Sequence, residues 1–265
     1  MAANVKTSSP SSLGRALDIL SLFSVASPLL TAEEIAAVLG YTRSTAYRYL
    51  KELCDAGLIA NAPESAYTLG PRIVELERML ALTDPLYRAG QQVLASEHCD
   101  NHALLLHSLY QDKVLCIYKV GPDVLRHNGQ QITIRRARGI PFSLFQGAAS
   151  LAALAHLSSH RIKQAYLGNE EAVRAAGLGQ NWLEFRHALA GIRRSGYATS
   201  YEQITPFVMG IAVPILSLQD QRLIGSLARA CPSAAMPSDS VPRHAPALRA
   251  LSLRIAQEYA RITHA

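Results

Sequence analysis

The sequence has little cysteine and no long apolar run. Its four cysteines are spread over the chain without a CxxC pair, at Cys54, Cys99, Cys116 and Cys231. This spacing is not that of a disulfide scaffold or a zinc site, and buried free thiols are the simpler interpretation. No apolar stretch approaches the ~20 residues that a membrane-spanning helix needs, and the N-terminus shows no apolar signal-peptide segment. The sequence therefore predicts a soluble protein of the cytoplasm.

Common enzyme motifs are also missing. The sequence contains no GxSxG, no GxxxxGK[ST] and no GxGxxG after a strand. His98 and His102, like His156 and His160, have the i,i+4 spacing of a helical metal site. Neither pair comes with an evident carboxylate or thiolate ligand at helical spacing, so ordinary surface or capping histidines are favoured. We expect no enzymatic activity, no metal and no cofactor.

Positive charge is in modest excess and unevenly placed. The formal net charge of +6 suits a polyanionic partner. Residues 1–83, however, hold seven basic and eight acidic side chains, so the surplus lies in the rest of the chain. Nucleic-acid binding must therefore be argued from where individual charges lie.

Residues Thr31 to Leu50 have the pattern of two short helices joined by a glycine turn. Thr31 and Glu34 match a capping box, and Gly40 supplies a helix stop. One face of the second helix is apolar and can pack on the first helix. The other face is polar and basic, with no acidic side chain before Glu52. It comprises Thr42, Arg43, Ser44, Thr45, Tyr47, Arg48 and Lys51.

Such a face is typical of a helix that lies in the major groove of DNA. Arginine suits guanine edges and phosphates, and hydroxyls suit phosphate oxygens. The alternative is a solvated helix pair in an ordinary helical domain.

A β-hairpin is predicted directly after the second helix. Leu58 to Ala60 and Ala66 to Leu69 are strand-like, with the turn-forming segment 61–65 between them. An earlier helix, from Ser12 to Ser24, would complete a three-helix core, and residues 1–11 are expected to form a disordered tail. A helix-turn-helix followed by a hairpin is a winged helix, whose hairpin normally lies along the DNA backbone or minor groove.

A connecting helix follows the hairpin. It begins at Pro71, the favoured first position of a helix, and runs to Leu82 with an apolar stripe that a free linker would not need. We expect this helix to pack on a symmetry mate or on the winged helix. The predicted division is a winged helix-turn-helix domain over residues 12–70, a linker helix over 71–83 and a second domain over 84–265.

Residues 84–265 alternate between helix and strand patterns. Strands are predicted at 102–109, 114–120, 131–136, 197–201, 210–216 and 223–230. Helices are predicted at 86–99, 147–157, 182–195 and 246–262. Strand hairpins with helices at the ends indicate an α+β domain on a mainly antiparallel sheet.

Taken in order, these parts resemble the IclR family of bacterial transcriptional regulators, from about Ser12 to Ala260. The matching segments are 12–20, 43–50 and 67–70 in the first part, and Gly139 to Phe142, Gly196 to Ala198 with Glu202, and Gly210 to Ile215 in the second. The resemblance implies an N-terminal winged helix, a helical linker used in dimerisation and a GAF-like C-terminal domain that binds a small effector. It also implies dimers or pairs of dimers bound near promoters of catabolic genes.

The resemblance further implies an effector pocket between the sheet and the loop before the Ala-rich helix. Carried over residue by residue, the pocket comprises Phe142, Ser143, Phe145, Gln146, Gly147, Ala148, Met209, Ala228 and Ala230. Members with small hydrophilic acid effectors often have a cysteine near the Met209 position, serines at positions 228 and 230, and a Gly-Lys pair where this chain has Ala148-Ala149. Because this chain lacks those donors, we expect a more apolar pocket and an aromatic or otherwise larger organic acid. The alternative is that these side chains merely fill the core.

Four arginines are candidates to bind an anionic effector. Arg135, Arg136 and Arg138 precede the pocket loop, and Arg229 lies between Ala228 and Ala230. Strand alternation directs Arg229 to the face opposite these alanines, away from the pocket.

The resulting interpretation is a ligand-responsive transcriptional regulator that controls genes for the catabolism of an aromatic or other organic acid. Its expected partners are a pseudo-palindromic double-stranded DNA operator, the acid effector and further copies of the chain, as a homodimer or homotetramer. No membrane contact is expected, and the DNA-bound protein would be nucleoid-associated. The alternative is a ligand-independent architectural DNA-binding protein whose second domain serves only oligomerisation. Since that protein would need only residues 1–83, the long second domain favours a sensor.

Overall fold

The computed structural model describes residues 11–134, 138–237 and 240–264. The chain divides into two compact units, Met1–Thr83 and Asp84–Ala265. Most of the proposed tail, and Arg135 and Arg136 of the proposed strand 131–136, lie outside the described residues. Within the described ranges, no helix combines the length and apolar character needed to cross a membrane.

The first unit is a winged helix-turn-helix. Its helices are α1 (Ser12–Leu20), α2 (Ala32–Leu39), α3 (Arg43–Asp55) and α4 (Pro71–Thr83), and its strands are β1 (Leu30–Thr31), β2 (Ile59–Asn61) and β3 (Ala66–Leu69). The strands form an antiparallel sheet in the order β1-β3-β2. The predicted helix-turn-helix and hairpin are therefore confirmed, and β1 is an additional strand that the sequence patterns did not indicate.

Local hydrogen bonds set the ends of α1 and α2. The predicted helix 12–24 ends at Leu20, where the Ser21 N–H donates to the Asp18 carbonyl and the Leu22 N–H to the Ile19 carbonyl, each at 3.1 Å. A separate turn follows, in which the Ser24 hydroxyl accepts the Ser27 N–H at 3.1 Å. At the start of α2, Thr31 Oγ1 accepts the Glu34 N–H at 3.3 Å, and the Glu34 carboxylate accepts the Thr31 N–H at 2.7 Å. The hydrogen bond from the Thr31 N–H lowers the pKa of Glu34. Gly40, at φ 68°, ends α2 in the left-handed conformation.

Glycine is also required where β3 meets α4. A Cβ at Gly70 would lie 2.2 Å from the carbonyl oxygen of Gly57 and 2.9 Å from the carbonyl carbon of Ile59. The Gly70 N–H donates to the Leu58 carbonyl at 2.8 Å, and the Arg72 N–H donates to the Gly57 carbonyl at 3.1 Å. These contacts fix the start of α4 against the hairpin.

The second unit is built on a six-stranded antiparallel sheet. Its helices are α5 (Pro85–Leu94), α6 (Ala148–Ala155), α7 (Ser159–Tyr166), α8 (Glu170–Ala175), α9 (Trp182–Ser195) and α10 (Val241–Thr263). Its strands are β4 (Ala103–Tyr110), β5 (Lys113–Val120), β6 (Val124–His127), β7 (Gln130–Thr133), β8 (Pro141–Ser143), β9 (Ala198–Tyr201), β10 (Val208–Leu216) and β11 (Leu223–Pro232). The main sheet has the order β8-β5-β4-β11-β10-β9, and β6 pairs with β7 in a separate hairpin.

Helices cover both faces of this sheet. α6 packs on β10 and β11 from one side, with α9 behind it, and all eight residues of α6 are buried. α5 and α10 pack together on the other side. The α+β class and the mainly antiparallel sheet are confirmed.

Several predicted element boundaries in the second unit were wrong. The helix predicted at 86–99 ends at Leu94, since the polar run that follows offers no apolar face to bury. The last helix begins at Val241, five residues before Pro246, where its start was predicted. Pro242 lies in the first turn, where proline is favoured. Pro246 lies inside the helix and removes only one helical hydrogen bond, because it lacks an N–H. The third predicted strand, 131–136, corresponds to β7, which spans Gln130–Thr133 and pairs with β6 in the separate hairpin. β6, β8, α7 and α8 were not predicted, because these short segments carry little periodic signal.

Replacing Gly70 by alanine should destabilise the first unit by about 3 kcal/mol, the upper end of the cost of overpacking. The added methyl must displace backbone atoms rather than a flexible side chain. Urea unfolding followed by circular dichroism would measure this change. Gly191→Ala is the matched control, since a Cβ at this position in α9 meets no atom within 4 Å. Equal stability of the two variants would contradict the tight junction.

Candidate functional site

The outer face of α3 is the first candidate site. Ala46, Tyr49, Leu50 and Leu53 of α3 are buried in the core of the first unit. The opposite face leaves Arg43, Ser44, Tyr47, Arg48 and Lys51 exposed to solvent. The side chains that the sequence placed on a polar, basic face thus lie together on one surface.

Two arginines of this surface differ in how firmly they are held. Arg48 lies against Tyr49, with its Cζ 5.1 Å from the centre of the ring and its Nη2 donating to the hydroxyl at 3.4 Å. Arg43 is 78% exposed and approaches Glu33 only at 4.0 Å, so it is free to turn towards a ligand. Arg48 is the better preoriented of the two, because the ring restricts its conformations.

Hydroxyl groups surround the start of α3. Thr42 Oγ1 accepts the Thr45 N–H at 3.3 Å and donates to Thr45 Oγ1 at 2.9 Å, and it lies 3.2 Å from Ser44 Oγ. A helix start also carries a partial positive charge from its N–H groups. Together these groups make the start of α3 suited to a phosphate oxygen.

The hairpin beside α3 is short and carries no basic side chain. A single helical turn, Pro63–Ser65, forms its tip, with Glu64 at φ 60°. Glu64 is exposed and is the only ionised side chain in residues 59–69. The hairpin therefore presents backbone N–H groups, hydroxyls and one acidic side chain, and no cation that would attract a polyanion.

The second candidate site is a cavity of about 70 Å³ between the main sheet and the start of α6. Its walls are mainly apolar, with Leu105, Ile134, Phe142 and Val208 among them. Its polar lining residues are His107, Ser200, Gln203, Thr205 and Arg229. The His107 ring meets Phe142 edge-on at 5.5 Å. An apolar space with a few polar groups is typical of a small-molecule site.

The structure brings only part of the predicted pocket to this cavity. Phe142, Ala148, Ala228 and Ala230 line it. Phe145 is buried beside Phe185 instead, at a ring distance of 6.4 Å. Ser143 and Gln146 form other hydrogen bonds. Ser143 Oγ accepts the Phe145 N–H at 3.2 Å, and the Gln146 side chain donates to the carbonyl of the distant Gln203 at 3.0 Å.

The prediction that Met209 lines the cavity is wrong. Met209 pairs with Cys231 and is buried with it in the core beneath α10. Gly210, one residue later, lines the cavity. Because successive strand residues point to opposite faces, an error of one residue moves a side chain through the sheet.

Sequence reasoning missed the β9–β10 loop, which supplies Gln203, Ile204 and Thr205 to the cavity. The Gly147 N–H, at the start of α6, donates to Gln203 Oε1 at 3.2 Å. The loop is also held by Ser233, whose hydroxyl donates to Glu202 Oε1 at 2.9 Å, and by stacking of Phe207 on His127 at 5.2 Å. The family landmark at Glu202 was the only sequence signal for this segment.

The candidate cations for an anionic effector are differently placed. Arg138 Nε donates to the Ile117 carbonyl at 2.8 Å, and its guanidinium lies over Tyr87. Arg229 is among the residues that line the cavity, yet it pairs with Ile211 of the core beneath α10, so its side chain is directed to the α10 side of the sheet, as alternation predicts. The pKa of His102 is lowered mainly by burial of the ring, and the charge of Arg229 lowers it further. Arg135 and Arg136 lie outside the described residues.

No group of three or more histidine, cysteine or acidic side chains that could hold a metal occurs among the described residues. His98 Nε2 lies 2.8 Å from Asp100, and both side chains are exposed. Burial raises the pKa of the Cys116 thiol to about 12, so this cysteine stays protonated and unreactive at neutral pH.

Two family models match the chain. One describes the IclR helix-turn-helix domain and matches residues 12–63. The other describes the bacterial transcriptional regulator IclR C-terminal domain and matches residues 96–257. The first match contains α3 with its exposed basic face, and the second contains the cavity.

Known proteins of similar sequence or fold agree with these matches. The HTH-type transcriptional regulator KipR of Bacillus subtilis (strain 168) is 22% identical over 213 residues, which cover 80% of this chain and 82% of KipR. The crystal structure of a putative IclR transcriptional regulator from Silicibacter sp. TM1040 has a TM-score of 0.75 at 21% identity, over 94% of this chain and 96% of that chain. An IclR homologue from Microbacterium hydrocarbonoxydans, complexed with 4-hydroxybenzoate, has a TM-score of 0.67 at 22% identity, over 95% of this chain and all of that chain. At these identities the two crystal structures show a shared fold.

Replacing Arg48 by alanine tests whether the exposed face of α3 contacts DNA. If Arg48 contacts a base, the free energy of specific DNA binding should weaken by ~1–3 kcal/mol, and the preference for one base at that position of the site should relax. If Arg48 contacts a phosphate, binding to all sequences should weaken, and the slope of log K against log salt concentration should become shallower by about one. Fluorescence anisotropy with duplex DNA from upstream of the protein's own gene, at two salt concentrations, separates these cases. Arg222→Ala removes the same charge from an exposed turn of the second unit and is the control. Unchanged binding by Arg48→Ala would remove this residue from the interface.

Proposed function

The chain belongs to the IclR family of bacterial transcriptional regulators, and from this premise we propose that it acts as a dimer or tetramer. When an aromatic or other organic acid binds, the protein leaves its operator or changes its position on it. It has the DNA-binding and effector-binding domains of that family. The proposal adds the residues that contact DNA, the surface that joins two chains and the class of effector. The main support for this proposal is that one chain has both an exposed basic helix face and a mainly apolar cavity lined by a few polar groups.

For DNA, we propose that two α3 helices of a dimer enter successive major grooves on one side of the duplex. The half-sites are then pseudo-palindromic and one helical turn, or a multiple of it, apart. Arg43 and Arg48 contact bases or phosphates, Thr42, Ser44, Thr45 and Lys51 contact the backbone, and Tyr47 packs on a thymine methyl. The exposure of Arg43 and Arg48 and the hydroxyls at the start of α3 support this assignment.

For dimerisation, we propose that α4 packs against α4 of a second chain. No residue of α4 is buried within the single chain. Leu76, Met79 and Leu80 are 45%, 58% and 57% exposed and lie along one side of the helix. A helix with such a stripe gains stability when a partner covers it.

For the effector, we propose an aromatic acid bound with its ring among the apolar walls and its carboxylate near the start of α6. Phe142 and Val208 suit a ring, and the hydroxyls of Ser200 and Thr205 suit carboxylate oxygens. The 4-hydroxybenzoate complex of the Microbacterium homologue is consistent with this class. A cavity of about 150 Å³ accommodates benzene. The 70 Å³ cavity therefore has to widen, and the β9–β10 loop, held by side-chain contacts at Gln203 and Glu202, is the wall best able to move.

To act as a switch, the acid must favour one arrangement of the DNA-binding domains over another. A ligand with equal affinity for both arrangements changes nothing, however tightly it binds. The ligand-independent architectural alternative predicts a footprint that no acid alters.

A footprint on the intergenic DNA beside the protein's own gene tests the regulatory proposal. We expect a discrete, salt-sensitive protected segment with two related half-sites, which shrinks or shifts with 4-hydroxybenzoate or a related aromatic acid. Ala230→Leu fills the cavity and should abolish the response to the acid while leaving the footprint in place. Ala234→Leu, at an exposed alanine outside the cavity, is the control. Uniform weak protection would refute sequence-specific binding, and an identical acid response in Ala230→Leu would refute the cavity as its site.

A charge in the apolar stripe of α4 should prevent dimerisation. Leu80→Glu is expected to shift the protein from dimer to monomer in analytical ultracentrifugation at micromolar concentration and to weaken operator binding at least tenfold, since one half-site alone remains. Val74→Glu introduces the same charge on the opposite side of α4, where the residue is 69% exposed, and should leave the dimer intact. If Leu80→Glu is still a dimer, the interface lies elsewhere.

A further inference from the structure

A second concave site lies on the outer side of the second unit, apart from the cavity near Gln203. It has a volume of about 660 Å³ and is formed where α6 ends, α7 begins and α9 passes beside both. We call it the α7–α9 groove. Its size is within the range of small-molecule sites, and none of the residues discussed for DNA or effector binding lines it.

The groove is strongly basic. Lys163 of α7 and Arg186 and Arg193 of α9 line it, together with His156 and the hydroxyls of Ser158 and Ser159. Among the residues that the structure describes, its lining includes no acidic side chain. Glu184, an acidic residue of α9, accepts hydrogen bonds from the Gln180 N–H at 2.8 Å and the Asn181 side chain at 2.7 Å. The groove thus has three permanent positive charges without a counter-charge on its walls.

Two of these cations are held in place by the protein. Arg193 Nη1 donates to the Ala155 carbonyl at 2.8 Å, which leaves its other guanidinium N–H groups available. The Arg186 guanidinium lies over the Trp182 ring at 5.9 Å. His156 follows the last residue of α6, where burial lowers its pKa and a ring nitrogen lies 2.9 Å from the Ala152 carbonyl. Preoriented donors lose less conformational entropy when they bind an anion.

The start of α7 adds donors of the same kind. Ser158 caps this eight-residue helix by accepting the Arg161 N–H at 3.3 Å. The N–H groups of the first helical turn have no partner within the helix and carry partial positive charge. Ser158 and Ser159, at the start of α7, line the same groove as Lys163, Arg186 and Arg193.

We propose that the α7–α9 groove binds a small phosphate-bearing anion, as a ligand site additional to that of the organic acid. Guanidinium forks, a lysine ammonium, serine hydroxyls and helix N–H groups are the combination that binds phosphate oxygens in proteins. The three cations match a ligand with more than one negative charge. The proposed ligand is a small molecule rather than duplex DNA, because a concave site of this volume fits a compact anion.

The single tryptophan of the chain provides a local probe. Trp182 lines the groove, and the chain has no other tryptophan. Titration of the full-length protein with inorganic pyrophosphate at constant ionic strength should give a saturable change in tryptophan emission. An anion bound at the winged helix would leave this emission unchanged, since no tryptophan lies there.

Lys163→Gln is the test variant, because Lys163 is exposed and its loss should not disturb folding. We expect its affinity for pyrophosphate to fall roughly tenfold or more, about the effect of one charge-assisted contact. Arg186→Gln should show a similar loss by calorimetry, a readout unaffected by its own contact with Trp182. Arg174→Gln, an exposed arginine of α8 outside the groove, is the control and should bind as the wild type does.

Three results would overturn the proposal. The first is the absence of a saturable change in Trp182 emission up to millimolar pyrophosphate. The second is unchanged affinity in both Lys163→Gln and Arg186→Gln, with thermal unfolding confirming that the variants are folded. The third is binding of citrate, or of a short DNA duplex, at least as tight as that of pyrophosphate in the same emission assay, which would assign the groove to a carboxylate or to nucleic acid.

Discussion

The alternation of side chains along β10 and β11 is the constraint on which the second unit depends. On the α6 side, the paired residues are small: Gly210 opposite Ala230, and Ala212 opposite Ala228. On the α10 side, they are larger, with Ile211, Val213 and Leu227 in the core. The small residues allow the alanine-rich α6 to lie close to the sheet, and a Cβ at Gly210 would be only 3.5 Å from that of Ala148. The cavity lies where this close approach ends.

The first unit could be predicted from the sequence in most of its features, because its signals are local. The Thr31–Glu34 capping box, the turn at Gly40 and the face formed by Ala46, Tyr49, Leu50 and Leu53 each depend on residues within one or two turns of a helix. Such features are encoded in spacing and need no knowledge of distant contacts.

The cavity was only partly predictable, because it depends on register and on a loop. Ala228 and Ala230 were predicted on the correct face of the sheet. Met209 was predicted to line the pocket, a position that its neighbour Gly210 occupies, because no periodic pattern distinguishes these two residues. Gln203 was missed because its role rests on hydrogen bonds to Gln146 and Gly147, more than fifty residues earlier in the chain. Non-local contacts of this kind leave no trace in local spacing.

The acidic tip of the hairpin has a consequence for how the protein distributes itself in a cell. Genomic DNA offers roughly 10⁶–10⁹ competing sites, and attraction to them is almost wholly electrostatic. With Glu64 at the tip and no lysine or arginine in residues 59–69, the hairpin adds nothing to that attraction. In the proposed complex, fewer molecules are then sequestered on random sequence, and occupancy of the operator depends more on the contacts proposed between α3 and the bases. A modest number of copies per cell can suffice for regulation under these conditions.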